Sequence, residues 1–130
     1  MKALLTLVVA ATAALALSAP AHPAPTGCMA TVGLSPAPDA GVVGTPWVVT
    51  LRVMQHGVRP LRDAQPVLRI RKAGAKRIAF KATPTARVGS YRARVVFPSA
   101  GVYRVSVYDG FPLPQCARVH TFGSVVVTDV

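Results

Sequence analysis

The sequence predicts an all-β fold, antiparallel sheets packed face to face, and three observations carry that prediction. Apolar residues recur at every second position in several short runs. Pro, Gly and Asp separate those runs at close intervals. No longer stretch carries an apolar stripe at the spacing an amphipathic helix needs.

The elements follow in order. Cys28 to Leu34 alternates and runs into a Pro- and Gly-containing segment ending at Gly41, which reads as a strand followed by a turn. From Trp47 to Met54 the residues Trp47, Val49, Leu51 and Val53 share one face, and Thr50, Arg52 and Met54 the other. That is a half-buried strand with Trp47 as a core anchor. His56 and Gly57 break the pattern, and Arg59-Pro60-Leu61 leads into a turn at Arg62 and Asp63. Val67 to Arg71 places Leu68 and Ile70 inward and Arg69 and Arg71 outward. Lys72 to Ala75 is a hairpin loop, and the chain returns through Arg77 to Lys81 with Ile78 and Phe80 inward.

An internal echo marks the next two strands. Gly89-Ser-Tyr-Arg-Ala-Arg-Val95 and Gly101-Val-Tyr-Arg-Val-Ser-Val107 agree at Gly, Tyr, Arg and Val, offset by twelve positions. Tyr91, Ala93, Val95 and Phe97 point one way, as do Tyr103, Val105 and Val107, leaving Arg92, Arg94 and Arg104 on the opposite parity. The Gly-x-Tyr at 101–103 resembles a tyrosine corner, with the phenol bonded back to the preceding connection. A final strand runs from Val119 to Thr128, bent at Gly123. About seven strands of this kind make an immunoglobulin-like antiparallel β-sandwich.

The chain opens with Met1-Lys2, an apolar run from Ala3 to Leu17, and Ser18-Ala-Pro-Ala21. One positive charge, a short apolar core and small residues before a cut define a secretory signal peptide over 1–21, cleaved after Ala21. The run is shorter than the ~20 apolar residues of a membrane span, and Pro20, Pro23 and Pro25 follow it. Residues 22–27 then form a Pro-rich leader and 28–130 one domain, secreted or periplasmic and working in the cell envelope.

Cys28 and Cys116 are the two cysteines, and in an oxidising compartment an even pair reads as a disulfide. A lipid-modified Cys28 is disfavoured, because the Leu expected three positions earlier is absent.

The net charge is +11, or +10 once Lys2 leaves with the signal, and Glu is absent. Four dispersed Asp offer little for paired-carboxylate acid/base chemistry. No serine lies in a Gly-x-Ser-x-Gly elbow and no Gly-rich phosphate cradle is present, so the residues point away from an enzyme. The positive balance points to anions outside the cytoplasm, such as wall polymers or lipid headgroups. Arg69, Arg71, Arg92, Arg94 and Arg104 are the candidate anion-binding residues: the guanidinium fork matches carboxylate and phosphate, and neighbouring strands would merge them into a basic stripe. Specific nucleic-acid recognition is disfavoured, since no reading motif accompanies the charge.

The segments Gly44 to Val53, Gly89 to Pro98 with Ala100 to Val107, and His120-Thr-Phe122 resemble the YtkA-like exported domains of bacteria. The resemblance spans roughly residues 28–130 and implies an immunoglobulin-like sandwich used for extracytoplasmic binding or assembly, with no shared chemistry. The expected function is therefore a non-enzymatic module, without a cofactor, acting on an anionic envelope component or an extracytoplasmic protein. Loops 55–62 and 110–118 are the other places where a partner would be met.

The alternative is copper. A mature chain starting at His22 offers an α-amine and an imidazole to Cu(II), an arrangement similar to the exported copper-binding sandwiches of the CopC type. His56 and His120 are the further candidate ligands, with Met29 and Met54 as thioethers. The Asp-x-His pair those proteins carry on a later strand is missing here.

Overall fold

In the computed structural model, which describes residues 27–129, the alternating runs pair into two sheets. The first contains β1 (Ala30–Ser35), β3 (Trp47–Gln55), β8 (Ser90–Val95) and β7 (Thr83–Pro84) in that spatial order, with β4 (Arg59–Pro60) also on β3. The second runs β2 (Ala40–Val42), β10 (Val119–Thr128), β9 (Gly101–Tyr108), β5 (Val67–Lys72) and β6 (Ile78–Lys81). Every pairing is antiparallel except that of β2 with β10. The segments β2, β4 and β7 span only two or three residues and lie where the sequence shows no alternation. The described residues contain no helix long and apolar enough to cross a membrane. The signal peptide and nearly all of the leader fall outside the described residues.

The sheets meet over the faces that alternation assigns to them. Val49, Leu51 and Val53 of β3 and Tyr91, Ala93 and Val95 of β8 are buried, together with Leu68 and Ile70 of β5 and Tyr103, Val105 and Val107 of β9. Each of the Val, Leu and Ile side chains among them stabilises the fold by about 1.5–3 kcal/mol through area removed from water. Trp47 differs from expectation. It is only half-buried, and stacks at the rim on Phe97 with ring centroids 6.5 Å apart. Phe97, fully buried and also 5.0 Å from the Tyr103 ring, takes the central place instead. Trp47 is the first residue of its strand, so its large ring projects at the end of the core.

Two tyrosines fasten connections to the sheets. Tyr103 donates to the Ser99 carbonyl at 2.9 Å, the corner the Gly-x-Tyr pattern predicts. Tyr91, its echo, donates to the Leu61 carbonyl at 2.7 Å and accepts from the Ala64 N–H at 3.0 Å, clamping the β4–β5 connection. In β10 the register shifts between Thr121 and Ser124, so the half-buried set changes from His120 and Phe122 to the buried Val125 and Val127. This is the irregularity expected at Gly123, and it keeps a ten-residue strand facing the core at both ends.

Candidate functional site

Outward parity decides where the arginines project, and sheet membership decides which of them meet. Arg69 and Arg71 on β5 and Arg104 on β9 occupy the outer face of the second sheet, where Arg71 and Arg104 are direct cross-strand partners. Arg92 and Arg94 on β8 lie on the outer face of the first sheet, opposite Thr50 and Val48. The single merged stripe expected from the sequence is therefore two patches on opposite sides of the sandwich, because β8 and β9 join different sheets. Arg71, Arg92, Arg94 and Arg104 are exposed, and their guanidiniums make no hydrogen bond or ion pair among the described residues. Arg69 is half-buried over the Tyr108 ring, its guanidinium carbon 5.1 Å from the centroid.

The first patch extends beyond the expected pair. Cross-strand from Ser90, Arg52 projects from β3 on the same outer face and donates through Nη1 to the Val88 carbonyl at 2.9 Å and to Ser90 Oγ at 3.1 Å. Arg87, in the turn before β8, joins it along a shallow groove of about 490 Å³ that also includes Gly33, Ser35, Thr50 and Ser90. Arg52 was visible in the sequence as an outward residue, but a turn arginine such as Arg87 carries no periodic signal. Neither guanidinium forms an ion pair with a carboxylate among the described residues.

Of the four acids, one is withdrawn from the surface, while Asp39, Asp63 and Asp129 are exposed. Asp109, at the end of β9, is fully buried and accepts from the Phe111 N–H at 3.0 Å, the Arg118 N–H at 3.2 Å and His120 Nε2 at 2.9 Å. It thereby folds the segment 110–118 back onto the sheet edge. His120 to Asp109 is the one contact of a basic ring with a carboxylate found among the described residues. Because His120 has the inward parity of Phe122, its ring reaches this carboxylate and is spent on structure.

Segment 110–118 is also held by Cys116, which forms a disulfide with Cys28 across 88 positions, the Cα atoms 4.7 Å apart. Such a bond persists in an oxidising, non-cytoplasmic compartment. Beside the same segment a cleft of about 740 Å³ opens between Asp63, Gln65, Pro66, Lys81, Tyr108 and Phe111.

Of the candidate copper ligands, His22 lies outside the described residues. His56 is exposed and its ring lies beside Gly27, whose Cβ, if present, would be 3.0 Å from the ring carbon Cε1. His56 and His120 make no hydrogen bond to each other, and no group of three or more His, Cys, Asp or Glu side chains is placed to hold a metal among the described residues.

No family model matches the chain, and no curated protein matches it.

Proposed function

We propose that this is an exported, non-enzymatic binding module, similar to immunoglobulin-like YtkA-type domains, that holds an anionic component of the cell envelope through its outward arginines. The observation that carries the reading is the uncompensated charge on both outer faces. Arg71 stands directly across from Arg104, and neither forms an ion pair with a carboxylate among the described residues. Like charges opposite one another in a sheet are unfavourable, so the pair is relieved when an anion bridges it. The disulfide supports an extracytoplasmic setting, and the segment 1–21 supplies the export signal.

The test is sedimentation of mature protein with isolated envelope over a series of salt concentrations, alongside a variant with residues 69, 71, 92, 94 and 104 changed to Ser. The wild type should co-sediment at low salt and release steeply as salt rises, because bound anionic groups shed counterions. The variant should release at markedly lower salt. Equal sedimentation of the two rejects the reading.

A second reading has one observation in its favour: His56 lies against Gly27, five positions after His22. A Cu(II) site built from the His22 amine and imidazole with His56 is within that chain's reach. Calorimetry of the mature protein should then show tight Cu(II) binding that is lost when one residue is added before His22, and its absence from unmodified protein removes this reading.

A further inference from the structure

We infer that the groove between β1, β3 and the β7–β8 turn is a specific site for a phosphoryl group, with Arg52 and Arg87 as its cationic walls. The inference rests on the proposed anion-binding role and gives it a location and a ligand chemistry. Each part of the groove is set by an observation. Arg52 is only partly exposed, and its Nη1 is fixed by the Val88 carbonyl and by the buried Ser90 hydroxyl, so its fork is held in one orientation before a ligand arrives. Lower entropy loss on binding follows from such prior ordering.

Arg87 is positioned by the turn. Its backbone N–H bonds Thr85 Oγ1 at 3.3 Å and its carbonyl accepts from the Ser90 N–H at 3.0 Å, while its guanidinium has no partner among the described residues. Thr85 Oγ1 in turn donates to the Ser90 carbonyl at 3.1 Å, closing the turn on the strand that carries Ser90. Ser35 and Thr50, cross-strand partners, add two hydroxyls to the groove, and Gly33 opposite Arg52 leaves its floor without a side chain. Arg92, the partner of Thr50 on β8, continues the positive charge away from the groove along the same face.

This donor set selects among oxyanions. A carboxylate has two oxygens in one plane and is satisfied by a single guanidinium fork. A phosphoryl group presents more acceptors, directed out of plane, and can engage two forks and a hydroxyl together. Guanidiniums approaching from a strand and from a turn therefore suit the tetrahedral group better. On the second face Arg69 is taken up by Tyr108, and the exposed Arg71 and Arg104 hold no hydrogen bond through their guanidiniums among the described residues.

The experiment uses the disulfide-bonded mature protein, followed by amide NMR during titration with inorganic phosphate, and separately with acetate at equal ionic strength. Phosphate should shift Gly33, Val88 and Ser90 in a saturable way, and Arg87→Ser should weaken that response at least about tenfold. Arg52→Lys keeps the charge, loses the fork, and should weaken it too. Arg87 contributes only its backbone to the turn, so its variant should remain folded, as the undisturbed core amides would show. Vesicles containing phosphatidylglycerol form another arm: capture that Arg87→Ser abolishes assigns the phosphoryl group to a lipid headgroup, and phosphate binding without vesicle capture assigns it to a soluble or polymer-borne source. Acetate shifts equal to those of phosphate, or an unchanged titration in Arg87→Ser, overturn the inference. Since the five-arginine variant leaves Arg52 and Arg87 in place, envelope binding that it weakens, together with no phosphate response in this groove, would sink the groove alone and leave the broader function standing.

Discussion

Tyr91 shows how much one side chain decides. Its hydroxyl serves a buried carbonyl and a buried N–H of the β4–β5 connection, at Leu61 and Ala64, so Tyr91→Phe strands both. Loss of about 1–3 kcal/mol of stability is expected, measured by denaturant unfolding. Burial pushes the Tyr91 hydroxyl above its ordinary value of 10.0, against a smaller opposing effect of the Ala64 hydrogen bond. The folded state therefore holds this proton after the unfolded chain has begun to lose it. Stability should fall as pH rises from the ordinary tyrosine value toward the raised one, and Tyr91→Phe should flatten that part of the profile. Gly110 is a second such position. Its φ is +62°, and a Cβ there would run into the backbone of Gln65. Gly110→Ala should thus cost more than the ~1 kcal/mol typical of a tolerated glycine change, with Val67 to Lys72 losing amide protection first. The tyrosine corner was legible from Gly-x-Tyr, because it bonds within four residues. The clamp by Tyr91 was not, since its partners lie about thirty positions earlier and only the folded sandwich brings them near. Asp109 was illegible for a like reason: its burial depends on a segment that leaves the sheet and returns.

At the scale of strands, the position of each arginine is local information and its neighbourhood is not. Parity within β5, β8 and β9 follows from alternation, and all five arginines do lie opposite the core faces of their strands. Which strands stand side by side is fixed by pairing between distant segments. β8 and β9 share a sequence motif and follow one another, yet they belong to different sheets. That separation splits the arginines into two faces. It also creates the Arg71–Arg104 pair, whose repulsion can be measured. Arg104→Thr should stabilise the fold by about 0.2–1 kcal/mol at low salt, an advantage that shrinks as salt rises, while weakening envelope retention. A stability gain coupled to a binding loss would mark a residue kept for its ligand. Trp47 teaches the same lesson from the core: alternation gives its face, but its place at the strand's first residue leaves it at the rim.

Across the whole molecule, the disulfide joins the segment ahead of β1 in one sheet to the segment ahead of β10 in the other. Closing a loop of 88 positions stabilises the domain by on the order of 4 kcal/mol in the chain-entropy model. Replacing both cysteines by Ser should lower the unfolding free energy by an amount of that order, with the two sheets still formed by circular dichroism. What the bond and the sandwich support is a rigid body whose outer faces carry arginines without acids. Anion binding through those faces is the central claim, and its most direct measurement is the salt dependence of affinity for a linear polyphosphate. The logarithm of the binding constant should fall linearly with the logarithm of salt concentration, and the slope should become shallower by roughly 0.7 for each contacting arginine replaced among residues 92, 94 and 104. A slope near zero for the wild type, or one unchanged when those three arginines become Ser, would contradict the account.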